Sequence, residues 1–219
     1  MRDIAGLVEP LMERYLTEGL SEMFWDPVLY PIRTGGKRVR PALAVLSCEA
    51  AGGARDDALP AAAAVELTHN YSLIIDDIID HSELRRGQPT LWRKYGISTA
   101  LVVAIVYREA ISRALNDTPD PPAFNDVLVS HNKMLAEGEW LDILFEQAGR
   151  EDEPYVVENR FREVGLDQYI EMVRRKTAAL MKASCMMGGM SARAPREWVD
   201  ALAEYGENLG VAFQVGDDI

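Results

Sequence analysis

The sequence predicts an all-α protein, and three observations carry that prediction. No stretch alternates apolar and polar residues with the β-branched enrichment of a strand. Long segments rich in Ala, Leu, Val and Met instead repeat apolar residues at helical spacing. Gly, Pro and clustered charge break these segments apart.

The elements follow in order. The N-terminal MRDIAGLVEPLMERYL is amphipathic and carries acids early, which a secretory signal does not. Residues 40–51 form a helix stopped by AGG. Pro60 suits the first turn of the next helix, which runs to Ile79. HSELRRGQPT reads as a polar loop. Residues 97–116 form a helix ended by NDTPDPP, and 123–148 a long one followed by the acidic loop GREDEP. Asp167 caps a helix running to Met187, where the Gly188–Gly189 pair should stop it. Pro195 opens a last helix to Ile219.

A chain of 219 residues, nearly half of them hydrophobic, can bury one sizeable core. No repeat, low-complexity segment or linker divides it, so residues 1–219 read as a single all-α domain. The net charge of -12 argues against nucleic acid as the main partner, because a phosphate backbone needs a basic face. Cys48 and Cys185 lie among apolar and small residues and read as buried free thiols. No apolar run approaches the roughly 18 residues that span a bilayer, so a soluble, cytoplasmic protein is expected.

Chemistry concentrates in YSLIIDDIIDHSELRRG, residues 71–87. A helix turns about 100° per residue, so Asp76 and Asp80 share a face with Asp77 beside them. Three carboxylates this close repel one another unless a cation sits among them. Hard oxygen donors suit Mg²⁺ or Mn²⁺; the alternative is a solvated acidic helix end. His69 lies two turns before Asp76, and Arg85 and Arg86 follow the helix. Upstream, GGKRVRP brings Lys37, Arg38 and Arg40 together. Alone, it is a basic loop before a helix. Beside the aspartates, it makes sense if the substrate carries diphosphates. Gln214, Asp217 and Asp218 share a helix face at the other end of the chain. Lys176, in RRKTAAL, is a cation in an apolar helix, either functional or snorkelling to solvent.

Taken together, GGKRVRP, HNYSLIIDDIID, RRGQPT, KTAAL and FQVGDD resemble the head-to-tail trans-prenyltransferases, the isoprenyl diphosphate synthases, in motif order and from residue 35 onward. The resemblance implies a barrel of helices around a deep central cavity, assembled as a homodimer. It implies condensation of isopentenyl diphosphate with an allylic diphosphate. Asp76, Asp77 and Asp80 would hold Mg²⁺ (or Mn²⁺) and the allylic diphosphate, which Arg85 and Lys176 would contact. Lys37, Arg40, His69 and Arg86 would hold isopentenyl diphosphate. Gln214, Asp217 and Asp218 match the start of the second aspartate-rich motif, Asp217 and Asp218 as metal ligands. Charge neutralisation would let the allylic C–O bond ionise, the alkene attack the cation, and the departing diphosphate take the proton.

The same resemblance assigns product length to Tyr71 and Ser72, under the first motif. Tyr71 lies about 7.5 Å along the helix from Asp76, though about 140° around it, so its place in a tunnel rests on the resemblance; otherwise it is a core tyrosine. The pair, with the uninterrupted DDIID, is most like archaeal geranylgeranyl diphosphate synthases and implies a C20 product before a C15 one. Tyr107-Arg108-Glu109 stands where many relatives carry Gly-Asp, and Gly138-Glu139 where Gly-Gln is frequent. Ending at FQVGDDI, inside a helix and a motif, the sequence reads as truncated at its C-terminus. Two alternatives remain at this level: a class I terpene cyclase, which has little use for GGKRVRP, and a non-catalytic or regulatory subunit that binds prenyl diphosphates.

Overall fold

The structure is a computed structural model and describes residues 2–219. Its elements are α1 (Arg2–Thr17), α2 (Trp25–Arg33), α3 (Val39–Ala50), α4 (Leu59–Ile79), α5 (Leu91–Tyr95), α6 (Ile97–Asn116), α7 (Pro121–Phe145), α8 (Pro154–Asn159), α9 (Leu166–Val173), α10 (Ala179–Ser191) and α11 (Arg196–Asp218). A π-helical turn, Arg174–Ala178, joins α9 to α10.

α4 is the axis of the fold. Its first half, Ala61 to Ala64 with Val65 and Leu67, is wholly buried, as expected of a helix that is apolar on every side. α1, α3, α6 and α10 pack around α4. Small side chains let the helices approach closely, and the second half of α4 then emerges along a cavity wall. α10 packs on α3 and α11, and α7 on α10 and the π-turn, which closes the far side.

Two local expectations are corrected. Gly188 and Gly189 do not stop their helix, which continues to Ser191. A Cβ on Gly188 would stand 2.2 Å from the Ala44 carbonyl, so the glycine serves close packing of α10 on α3. HSELRRGQPT is not only loop: β1 (Leu84–Arg85) pairs antiparallel with β2 (Gln88–Pro89). Arg86 (φ 54) and Gly87 (φ 75) both take positive φ, the signature of a tight two-residue hairpin turn. Cys48 and Cys185 are free and buried. No described helix is long and apolar enough to cross a membrane.

Candidate active site

The cavity holds about 750 Å³ between α4, α7, the π-turn, α10, α11 and the segment before α3. Its acidic rim is the end of α4. Arg85, aimed by the hairpin, donates from Nε to Asp77 Oδ1 at 2.7 Å and from Nη2 to Asp76 Oδ2 at 2.8 Å. One guanidinium thus sits between two adjacent carboxylates and answers their repulsion. Burial raises the Asp77 pKa, and the Arg85 charge opposes that rise. Asp80 ends the helix, more exposed; burial and then the Asp76 charge raise its pKa.

Lys176 completes this rim. Its Nζ lies 2.6 Å from Asp142 Oδ2, 3.0 Å from Glu139 Oε2 and 3.5 Å from Asp76 Oδ1. Burial alone would lower its pKa. The hydrogen bond to Asp142 and the charges of Asp76, Asp142 and Glu139 outweigh it and hold the ammonium above its usual range. The π-turn aims this side chain into the cavity, a use to which such bulges are often put. Gly138 makes the approach possible, because a Cβ there would meet the Lys176 amide nitrogen at 2.2 Å.

The basic rim is built from GGKRVRP. Arg38 takes a left-handed backbone (φ 50) and turns inward, where Glu9 (2.9 Å), Glu66 (3.0 Å) and the Ile32 carbonyl (2.7 Å) accept from it. It is a structural cation. Arg38 and Glu66 line the cavity as a closed ion pair, and Lys37, Arg40, His69 and Arg86 line it beside them. His69 is pushed well below its ordinary pKa by burial and then by Arg40 and Arg86, so it is neutral. Its Nε2 accepts from Arg40 Nη1 at 3.3 Å, while Arg40 Nε is buried with no partner. A buried donor without an acceptor beside other cations suits an anion.

Below the two rims the walls turn apolar, with Tyr71, Ile75, Leu135, Leu180 and Met181 among them. Ser72 also lines the cavity and donates to the His69 carbonyl at 2.9 Å. Gln214 and Asp217 reach it from α11. Asp77, Asp80 and Asp218 are not in the cavity lining; Asp77 faces a smaller pocket beside Arg85, and Asp218 accepts from Gln214 (2.9 Å) and from the Tyr169 hydroxyl. Sequence reading missed Asp142, and took Glu139 only as a packing difference. GEWLD places both acids one turn apart on α7, a signal that a lone lysine in an apolar helix needs partners.

A divalent cation fits this donor set. Asp76 and Asp217 offer hard oxygens to the cavity, and Asp77 and Asp80 stand beside Asp76 at the end of α4. Among the described residues no three such side chains close on a common point. Mg²⁺ is commonly held by one or two carboxylates together with waters and substrate phosphate, not by a closed protein cage.

An all-α shell around one cavity, with carboxylates on one rim, cations on the other and apolar walls beneath, defines a class: an isoprenoid synthase-type helical fold. Polyprenyl synthetase is the family whose sequence model matches residues 21–219, and the chain belongs to that family. It is 34% identical over 216 residues to a geranylgeranyl diphosphate synthase of Methanosarcina mazei, covering 97% of this chain and 63% of that one. It is 37% identical over 223 residues to a (2E,6E)-farnesyl diphosphate synthase of Mycobacterium tuberculosis, covering 100% and 58%. The crystal structure of geranylgeranyl pyrophosphate synthetase from Pyrococcus horikoshii superposes with a TM-score of 0.86 at 32% identity, over 98% of this chain and 63% of the other. The chain spans 54% to 63% of the length of curated geranylgeranyl diphosphate synthases that it matches.

Proposed function

We propose that this protein carries out head-to-tail prenyl transfer, joining isopentenyl diphosphate to an allylic diphosphate and releasing a short-chain prenyl diphosphate. One observation carries the reading: a single cavity joins a carboxylate rim, with its own lysine and arginine, to a separate basic rim that has an unpartnered buried Arg40 donor. Two diphosphates need two such places. The family supports the reading, since its curated members here are geranylgeranyl and farnesyl diphosphate synthases.

The residues divide the work. Asp76, Asp77 and Asp80, with Asp217 and Asp218 opposite, are the proposed holders of Mg²⁺ or Mn²⁺. When bound, such an ion would neutralise charge on the leaving diphosphate. Lys176 and Arg85 turn from their carboxylates to allylic diphosphate oxygens, with Gln214 beside them. Lys37, Arg40, neutral His69 and Arg86 hold isopentenyl diphosphate so that its alkene faces the allylic carbon. The allylic C–O bond breaks with its electron pair on oxygen, the alkene attacks the cation, and the proton leaves to the released diphosphate. Apolar walls exclude water, which would otherwise quench the cation. Tyr71 and Ser72 set the depth of the pocket, for a C20 product before a C15 one.

The wider setting belongs to the same proposal: one all-α domain, cytoplasmic, acting as a homodimer. The outward face of α6 supports the dimer, because Ile97, Leu101, Val102 and Ile105 are all exposed on it.

Incubation with Mg²⁺, isopentenyl diphosphate and dimethylallyl, geranyl or farnesyl diphosphate, read by product mass, tests the function. A product extended by isoprene units is the expected result. Release of a cyclised hydrocarbon, or no consumption of isopentenyl diphosphate, would overturn it.

A further inference from the structure

Arg150 stands in the GREDEP segment between α7 and α8, outside every motif that the proposed chemistry uses. We propose that Arg150 is a positioning residue that clasps the ends of α4 and α7 together and so sets where Asp80 stands at the rim. The inference rests on the prenyl-transfer reading above, and deepens it.

The side chain is 11% exposed and serves four groups at once. Nε and Nη2 donate to the two Glu146 carboxylate oxygens at 2.8 and 3.0 Å. Nη1 donates to Glu153 Oε1 at 3.1 Å and to the Ile79 carbonyl at 3.2 Å. Nη2 also lies 3.5 Å from Asp80 Oδ1. Glu146 is the residue that ends α7, and Ile79 is the last of α4. Both helices line the cavity, so one guanidinium ties the ends of two of its walls together.

The physical need is local to α4. A helix C-terminus leaves carbonyls unpartnered and carries negative partial charge. Here that end also carries Asp76, Asp77 and Asp80. Without a donor and a counter-charge it would fray, and Asp80 would move with it. Arg150 supplies both from the segment that follows α7. Its own backbone is left-handed (φ 57), a conformation a non-glycine residue keeps when its surroundings hold it. Lysine cannot replace it, because three donors on one nitrogen do not reach two opposed carboxylates and a carbonyl together. The motif that binds diphosphate is thereby tied to a segment distant in sequence.

The test uses Mn²⁺ as probe, with the unreactive thiolo analogue of dimethylallyl diphosphate. Electron paramagnetic resonance measures bound Mn²⁺, and calorimetry measures isopentenyl diphosphate. Arg150→Lys and Arg150→Ala are each expected to weaken Mn²⁺ binding about 10-fold, as loss of a ligand's supporting contact does. Isopentenyl diphosphate affinity should stay unchanged. In an Asp80→Asn background, Arg150→Lys should have no further effect on Mn²⁺. Unchanged Mn²⁺ affinity in both variants would overturn the inference. So would an equal loss of isopentenyl diphosphate affinity, which marks general loosening. If the wild-type chain takes up neither Mn²⁺ with the analogue nor isopentenyl diphosphate, the prenyl-transfer reading itself fails, and the clasp falls with it.

Discussion

Lys176 Nζ donates to Asp142 Oδ2 at 2.6 Å and so joins the π-turn to α7 at the cavity rim. The lysine is buried enough that a charge there needs partners, and three carboxylates supply them. Under the proposed function, an arriving diphosphate would compete for the same ammonium and take it from its carboxylates.

Lys176→Met removes that cation and keeps the stem's bulk. The turnover rate should fall about 100-fold or more, the scale of losing a group aimed at a developing negative charge. The KM for isopentenyl diphosphate should hardly move, since Lys37, Arg40 and Arg86 remain. Steady-state kinetics with each substrate varied in turn separates the two effects.

Lys37 is exposed at the basic rim, 5.7 Å over the Phe213 ring. Lys37→Ala should raise the KM for isopentenyl diphosphate about 10-fold, in line with one charge-assisted hydrogen bond of roughly 1.5–3 kcal/mol. Turnover at saturation should stay near wild type. An unchanged KM would remove Lys37 from the site.

Tyr71 lines the cavity on α4, about 7.5 Å along the helix before Asp76. Tyr71→Ala opens that depth, so product mass should shift upward by at least one isoprene unit. A product spectrum identical to wild type would show that the pocket is limited elsewhere.

Arg38 and Glu66 form an ion pair at 3.0 Å with both side chains only 2% exposed. Glu66→Ala leaves a buried guanidinium with Glu9 as its remaining carboxylate. Breaking a buried pair from one side costs about 3–5 kcal/mol. Denaturant unfolding should show a loss at the lower end, because Glu9 still accepts at 2.9 Å.

His69 gives an acid-side dependence. Burial, then Arg40, Arg86 and the other arginines, hold its folded pKa well below the ordinary 6.5. The unfolded chain therefore binds a proton that the folded chain refuses, and stability is lost as pH falls below about 6.5. The loss continues until the lowered folded pKa is reached. Thermal unfolding from pH 7 to pH 5 should fall less steeply in His69→Gln than in wild type.

The helix over 97–116 was legible to the residue, because Gly96 and the NDTPDPP run punctuate it locally. The Gly188–Gly189 pair misled, because the same residue that ends a helix also permits contact between helices; the Ala44 carbonyl decides which. The hairpin at 84–89 escaped notice, since two residues per strand are too few for an alternating pattern to appear.

By itself the sequence determined the all-α class, the order of the helices and the motifs that put carboxylates and cations on this chain. Those properties follow from spacing, punctuation and charge within a few residues of one another. Tertiary structure alone decided which charges are paired at the cavity and which stay open to it. Arg38 closed on Glu66 while Arg40, two residues on, kept an unpartnered Nε, and Asp142, distant in sequence, came within 2.6 Å of Lys176. Neither outcome is local: each depends on where helices packed around α4 bring side chains that no short stretch of sequence relates.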